Sequence, residues 1–342
     1  MKNPYELAKN ILLTSDDNME TEAAADKFTS IDLYGTFIRE NGGQAEEGDS
    51  SFHLENESGS GDITLYRVFP GIELVYNDMH MEYCNKNQQP APHIMEINYC
   101  KEGRCECLFR GHQYCYMSAG DLSFCSLDSN AHQSEFPTSH YHGITVTVDF
   151  SAITDEMKNV LELLAVDVNR IKALSQADEF TIIRANTTIE HIFSELYKVP
   201  AAIRRGYIRV KILELLLILT ELKPNEDSVK SAYFPAAQIK TIKEIHTFLV
   251  ENFCEHYTIE ELSKQFQISP TVMKKCFRGV YGDSIYAYMK RYRFQVAERL
   301  LRESSLTIGE IAAKVGYLNP NKFTSAFCAE YGVTPTAYRK KV

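Results

Sequence analysis

One stretch restricts what this chain can fold into more than any other: between Thr258 and Lys341 the sequence repeats itself once. Aligned on Thr258 and Thr307, the two copies open TIEELSKQF and TIGEIAAKV. After a one-residue slip they keep step, Pro270 with Pro320, Phe277 with Phe327, Tyr281-Gly282 with Tyr331-Gly332, and Tyr288 with Tyr338. A period of about fifty residues occurring only twice is a tandem duplication of one small unit, since a solenoid needs more repeats to bury a continuous core.

Each copy predicts helix, turn, helix. Thr258 with Glu261, and Thr307 with Glu310, have capping-box spacing, in which the hydroxyl satisfies an orphan amide and the carboxylate reaches back to the cap. Ile259, Leu262 and Phe266, then Ile308, Ile311 and Val315, fall on one face of the helices that follow. Ser269 and Asn319 can each cap a second helix, with Pro270 and Pro320 at its first position, where a missing amide costs least. Met273, Cys276, Phe277 and Val280, or Phe323, Phe327 and Tyr331, would point inward, and Gly282 and Gly332 end the helices. A helix-turn-helix places its second helix in the major groove of DNA. The outward positions in the first copy are Thr271, Lys274, Lys275 and Arg278, a cationic and hydrogen-bonding face suited to phosphates and base edges. The second copy presents Asn321, Lys322 and Ser325. A helical bundle with a solvated basic face is commoner for a single helix pair, but two pairs with the same caps and stops favour the DNA-binding reading.

Asp283 to Glu303 lies between the pairs, free of Pro and Gly and apolar at Ile285, Tyr288, Met289, Tyr292, Val296, Leu300 and Leu301. As one helix it would span about 30 Å. That is close to a turn of DNA, about 34 Å, so two recognition helices, about 269–281 and 319–331, could enter successive major grooves.

The runs SPTVMKKCFRGVYGDSIYAYMKRYRFQVAERLL and LTIGEIAAKVGYLNPNKFTSAFCAEYGVTPTAYRK resemble the DNA-binding domain of the AraC/XylS family of bacterial transcription regulators. The resemblance implies an all-α double helix-turn-helix, with base-reading positions at Thr271, Lys274 and Lys275 in the first unit. In the second unit it implies Pro320, Asn321, Lys322 and Ser325. After Phe327, where the family commonly has basic residues, this chain has Cys328, Ala329 and Glu330, which implies weaker phosphate contact by the second unit.

The formal net charge of -10 conflicts with DNA binding until it is divided. From Gln238 onward there are 16 Lys+Arg and 10 Asp+Glu, net +6, and the remainder carries 20 and 36, net -16. The cationic part is the part with the motif, as attraction to phosphate requires. The first residues lack a signal-peptide core, no run is long enough for a membrane span, and the nine cysteines read as reduced thiols; a cytoplasmic protein without membrane contact is expected.

Tyr5 to Leu13 is a candidate short helix, and Ile31 to Arg39 a strand or a helix. Glu40 to Asp62 is acidic and Gly/Ser-rich, which predicts a mobile loop or linker. From Ile63 to Phe150 short runs alternate, ITLYRVF, IELVYND, HIMEINYC, CECLFRG, HQYCYMS, DLSFCSL and HGITVTVDF, with turns at Pro70-Gly71, Gly103, Gly111 and Gly120-Asp121. That rhythm predicts a β sandwich or barrel. Its order and the phrase SAGDLSF resemble the cupin-type jelly roll that precedes the DNA-binding domain in many members of the same family.

Metal-dependent cupins use a His-x-His pair, a glutamate and a later histidine. Here His93, Glu96 and Gly103 fall near that pattern, but Ala91 replaces the partner histidine, so neither a catalytic residue nor a metal or other cofactor is assigned. The alternative retained is a metal-dependent cupin enzyme fused to a DNA-binding tail. His140 and His142 share a strand face suitable for a metal, but no third ligand is identifiable nearby, and surface or pocket histidines are the favoured reading. Cys100, Cys105, Cys107, Cys115 and Cys125 read as small buried apolar residues, because nothing local would lower a thiol pKa. A barrel mouth can hold a small-molecule effector, and His93, Glu96, Asn98, Arg110 and Tyr114 are candidates to line it by alternation.

From Ser151 to Pro224 the period is helical: Ile153 to Leu164, Thr187 to Lys198 and Tyr207 to Leu222. The last has a seam at Ile208, Ile212, Leu215, Leu219 and Leu222 and a second apolar face at Leu213, Leu216 and Leu217, so it is expected to be buried on two sides. Intramolecular core and dimerisation both fit, and the family resemblance favours a homodimer.

The sequence therefore predicts a multidomain α+β chain. Residues 1–62 form a poorly defined segment with an acidic linker, 63–150 a cupin-like β domain and 151–224 a helical dimerisation region; 225–238 is a linker and 239–342 the double helix-turn-helix domain. The expected function is an effector-responsive transcription regulator, an activator by the family's commoner habit. Its expected partners are double-stranded DNA, a small effector and a second copy, with RNA polymerase as an admissible further one.

Overall fold

The computed structural model describes residues 50–85, 91–109, 113–127, 133–176, 181–184, 187–222 and 234–341. They fall into two compact units, before and after Ala232, apart from the short stretch 112–114. The elements considered for Tyr5–Leu13 and Ile31–Arg39 lie outside the described residues, as does most of the expected 225–238 linker.

In the N-terminal unit the strands are β1 Ser50–Asn56, β2 Gly59–Phe69, β3 Ile72–His80, β4 Tyr83–Asn85, β5 Ala91–Phe109, β6 Gln113–Ser118, β7 Leu122–Leu127, β8 Gln133–Glu135, β9 Tyr141–Asp149 and β10 Thr181–Ile183. The main sheet runs β1-β2-β3-β9-β5, every pair antiparallel. β7 pairs with β5 and β10, and β8 with β4 and β5.

Two expectations are corrected here. The stretch expected to be a mobile loop over 40–62 is a hairpin from Ser50 onward, with Phe52 opposite Ile63 and Leu54 opposite Gly61. Its turn is held by Asn56, whose side-chain carbonyl accepts from the Ser58 amide at 2.8 Å and hydroxyl at 2.7 Å. Leu54 and Ile63 are buried, so two well-placed apolar residues outweigh the Gly/Ser composition. Gly103, expected as a turn between two strands, is instead a bend inside the continuous β5, with a register shift between Cys100 and Glu102 and φ of 80°. Extra residues and positive-φ glycines bend a strand without ending it.

One face of the sheet carries the main apolar core. Ile72 and Leu74 of β3, Ile144, Val146 and Val148 of β9, and Met95, Ile97 and Tyr99 of β5 share a core with four helices. These are α1 Asp155–Leu163, α2 Val168–Gln176, α3 Thr187–Leu196 and α4 Arg204–Glu221. Thr154 caps α1 by accepting from the Met157 amide, and Phe193 of α3 stacks on Tyr99 at 4.3 Å. The helical expectation for 151–224 needs two amendments: α2 is an additional helix, and β10 adds three residues to the edge of β7, too short a run for periodicity to announce. The α4 seam Ile208, Ile212, Leu215 and Leu219 faces this core. What remains outward is a different stripe, Ile203 ahead of the helix with Val210 and Leu217 on it, 56%, 61% and 43% exposed.

The C-terminal unit is all helical: α5 Ala236–Glu251, α6 Ile259–Gln265, α7 Pro270–Tyr281, α8 Ile285–Glu303, α9 Ile308–Lys314, α10 Pro320–Tyr331 and α11 Pro335–Arg339. α5 starts ahead of the expected Ile239, directly after Pro235, whose extended backbone (ψ 141°) marks the helix boundary. α8 buries Ile285 and Met289 and sets Tyr288 against Phe277 and Tyr281 of α7, then contributes Phe294, Ala297 and Leu301 to the core of the second pair. Between them Arg293 is buried, its guanidinium donating to the carbonyls of Phe253 at 2.6 Å and Glu255 at 2.7 Å. On α5, His246 stacks on Tyr281 at 4.3 Å with Nε2 2.8 Å from the Tyr288 hydroxyl.

Burial lowers the His246 imidazole from 6.5 to about 4, so the folded unit favours its neutral form. The unfolded chain then binds the extra proton at higher pH, and the resulting stability is complete above pH 6.5 and lost as the pH falls towards 4. Unfolding followed by calorimetry should show the transition containing the C-terminal unit dropping across this window. H246Q should flatten that slope, leaving a smaller residue from His256, which burial lowers in the same direction.

Candidate nucleic-acid interface

The two helix pairs, α6 with α7 and α9 with α10, are built by the same local chemistry. Thr258 accepts from the Glu261 amide at 3.2 Å while the Glu261 carboxylate accepts from the Thr258 amide at 2.7 Å, and Thr307 with Glu310 repeats both distances. These bonds hold the Glu261 and Glu310 carboxyls below the usual range. Both turns then pass through the left-handed region, at Gln267 (φ 52°) and at the equivalent Gly316 (φ 83°). At Gly316 a Cβ would stand 2.4 Å from the Cys254 carbonyl oxygen, so only glycine fits there.

Ser269 caps α7 and Asn319 caps α10, each with proline at the first position. The Asn319 side-chain oxygen accepts from the Asn321 and Lys322 amides at 2.8 and 3.3 Å. α7 buries Met273, Cys276, Phe277, Val280 and Tyr281 and ends at left-handed Gly282; α10 buries Phe323 and Phe327 and ends at left-handed Gly332. With the inner face fixed, the outer face follows from the 3.6-residue period. Thr271, Lys274, Lys275 and Arg278 are all exposed on α7, and Pro320, Asn321, Lys322 and Ser325 are all exposed on α10. None of these eight side chains is used by the core.

α8, at 19 residues, is about 28 Å long. Its second half is joined to the last helices through Glu298, which accepts from the Tyr338 and Tyr331 hydroxyls at 2.5 and 3.2 Å and pairs with Arg302. Glu330, the acidic departure on α10, is itself paired with Lys290 of α8 at 3.4 Å. One feature was missed from sequence: Leu318, the residue inserted by the slip between the repeats, is fully exposed just ahead of the α10 cap. The signal was present, since the first copy has no residue at that point.

The N-terminal candidates are only partly brought together. Glu96 and Asn98 share the sheet face opposite the apolar core, level with Thr147 and Thr145. Asn98 accepts from Thr145 at 2.8 Å, and Asn77 donates to the same hydroxyl at 3.0 Å. Glu73, opposite Thr147, joins them, and all but the half-buried Asn98 are buried. His93 precedes the regular ladder, its Nε2 4.0 Å from Asp149; Tyr114 is half-buried on β6; Arg110 lies outside the described residues. Ala91 is buried with Ile94 and Leu127. Burial pushes the Cys100 thiol up, in line with an unreactive core residue.

The His140/His142 expectation is corrected: further ligand-type groups do lie nearby. Asp78, His80 and His140 hold their donor atoms within 4.8 Å of one another, whereas His142 packs edge-on against Tyr197 at 4.9 Å. Burial, helped by nearby Lys101, lowers the His142 imidazole below its ordinary value.

Residues 262–341 match the family described as "Helix-turn-helix domain". The HTH-type transcriptional activator RhaR of Cronobacter sakazakii is 37% identical over 94 residues, 28% of this chain and 30% of RhaR. The HTH-type transcriptional regulator ExsA of Pseudomonas aeruginosa is 25% identical over 128 residues, 37% of this chain and 46% of ExsA. Among solved structures, the C-terminal domain of the two-component response regulator yesN from Fusobacterium nucleatum aligns with 28% identity and a TM-score of 0.27, covering 28% of this chain and 96% of that one. The matches span less than half the length of these curated relatives. The C-terminal unit is an AraC-type helix-turn-helix domain, preceded by a sheet-rich region. Among the described residues, no helix is long and apolar enough to cross a membrane.

Replacing Asn319 with Ala should leave two amides at the start of α10 unsatisfied and cost about 1 kcal/mol. N319S, which can accept the same bonds, should retain most of the stability in urea unfolding.

Proposed function

We propose that the chain is a sequence-specific DNA-binding transcription regulator of the AraC/XylS type, whose two recognition helices, α7 and α10, read successive major grooves. The observation that carries this is the duplicated, identically capped helix pair, each presenting a polar face that the core does not use. The proposed contacts are Thr271, Lys274, Lys275 and Arg278 from α7 and Pro320, Asn321, Lys322 and Ser325 from α10. Leu318 is added as an apolar contact of the kind that meets a thymine methyl. The enzymatic alternative is not favoured: Ala91 sits among apolar side chains where a metal-binding histidine would be needed, and no catalytic residue is assigned.

The N-terminal unit is read as a cupin-like jelly roll over 63–150, extended back to Ser50, and the buried polar face around Glu96, Asn98 and Thr145 as the place for a small hydrogen-bonding effector. That effector can shift the chain towards its DNA-competent state only through differential affinity for the two states. The region 151–224 is read as the dimerisation region, with 225–238 a linker and 239–342 the DNA-binding domain. Activation, contact with RNA polymerase and a cytoplasmic location follow from the same family reading.

The test of the DNA reading is selection of duplexes from a random pool by the full chain at two salt concentrations. Two short boxes about one helical turn apart are expected; binding without sequence preference that collapses with salt would refute the proposal. K275A should cost about 1–3 kcal/mol at one or two base pairs of the selected site. Uniform weakening on all sequences would instead put Lys275 on phosphate.

The dimer reading rests on the outward stripe Ile203, Val210 and Leu217, whose seven-residue spacing suits a helix-helix seam. The double substitution V210E/L217E should yield a monomer in sedimentation at concentrations where the unsubstituted chain is dimeric. The buried side of α4 is untouched, so the fold should persist.

A further inference from the structure

We infer that the N-terminal unit carries a site for a first-row divalent transition-metal ion of the zinc class, formed by Asp78 and His80 of β3 and His140 immediately before β9. The residues come from two separate parts of the chain, Asp78 and His80 from one strand and His140 from the start of another, and meet because of register. β3 and β9 are antiparallel with Asp78 opposite His142, so continuing the ladder by two residues sets His80 opposite His140. Their rings stand 5.0 Å apart. Asp78 Oδ1 is 3.1 Å from His80 Nε2, and the donor atoms of all three residues lie within 4.8 Å of one another.

Ligand atoms around a tetrahedral zinc with bonds of about 2.0–2.1 Å are themselves roughly 3.4 Å apart. The Asp78–His80 pair, at 3.1 Å, is close to that separation, and His140 lies within 4.8 Å of both. Two imidazoles and one carboxylate form a donor set of borderline softness, which selects zinc, nickel, cobalt or copper over calcium and magnesium. Glu102 of β5, whose Oε2 is 3.8 Å from His140 Nε2, is available as a fourth ligand. Lys101 pairs with the same carboxylate at 3.4 Å, so water is the other candidate for that position.

The backbone carrying His140 is held from both sides. Its carbonyl accepts from the Arg104 amide at 3.3 Å and the Thr138 hydroxyl at 3.2 Å, and Ser139 adopts φ 52°. A Cβ at Gly103 would stand 2.0 Å from the His140 oxygen, so the bend of β5 and the placement of His140 are one feature. Pre-positioned ligand backbones reduce the ordering cost of binding. The site is separate from the polar face that contains Glu96. Asp78, His142 and Glu102 are joined by direct cross-strand pairing and belong to the sheet face that further along holds Leu74 and Ile144, whereas Glu96 lies on the reverse. It therefore does not depend on the regulatory reading, and it is not the His-x-His arrangement sought around Ala91.

The test is isothermal titration of the chelator-stripped full chain with Zn2+ and Co2+, together with thermal unfolding. Saturable binding of one ion per chain, a rise in melting temperature and a cobalt spectrum without a thiolate charge-transfer band are expected. H80A and H140A should each weaken binding at least tenfold. H53A, on the same sheet face but two strands from β3, should leave it unchanged. All three side chains are at least partly solvent-exposed, and metal-free melting of each variant checks that it folds. Absence of saturable binding, or binding with a thiolate band that survives H80A/H140A, would overturn the site.

Discussion

The C-terminal unit depends on one helix serving two hydrophobic cores at once. α8 packs Tyr288 against Phe277 and Tyr281 of the first helix pair and Phe294, Ala297 and Leu301 on the second. Arg293 lies between the two sets. A guanidinium has five donors and cannot be neutralised, so burial is tolerable only when its donors meet acceptors. The Phe253 and Glu255 carbonyls supply them at the end of α5, which fixes the rotation of α8 about its axis. That rotation determines where Lys290 meets Glu330 and where Glu298 meets Tyr331 and Tyr338. The mutual orientation of α7 and α10 thus rests on packing along α8, and their eight exposed side chains gain a common frame from it.

In the N-terminal unit the corresponding constraint is a sheet with two buried faces of different composition. One is apolar and covered by α1 to α4. The other is mixed: Glu73, Asn77, Glu96, Thr145 and Thr147 are buried beside the apolar Ile63, Leu65 and Val75. Asn77, Thr145 and Asn98 form a chain of hydrogen bonds across three strands. Buried polar groups are costly unless satisfied and specify one arrangement when they are. Such a surface suits a hydrogen-bonding ligand better than a packed interior, which is why it, and not the wider set of five residues read from alternation, supports the effector proposal.

The helix-turn-helix pairs were legible from sequence almost to the residue. Their determinants are local: the threonine-glutamate boxes, the proline after each cap and the glycine after each helix act within a few positions of one another. The inward and outward positions followed because a regular helix converts spacing into direction. The strands of the N-terminal unit were also legible, but the burial of their faces was not. HGITVTVDF alternates threonine with apolar residues, which sets two faces, but both are buried, Thr145 and Thr147 along with Ile144 and Val146.

What the sequence determined by itself was therefore whatever short-range physics controls: helix starts and stops, the duplication, the division of charge between the two parts, and the existence of most strands. Tertiary structure alone decided which residues distant in the chain meet. It turned an acidic, glycine-rich stretch into the β1–β2 hairpin, because Leu54 and Ile63 found a core. It made Gly103 a bend, because β5 exchanges partners there. It also set His80 across from His140, since antiparallel register is a property of two strands and cannot be read from either one.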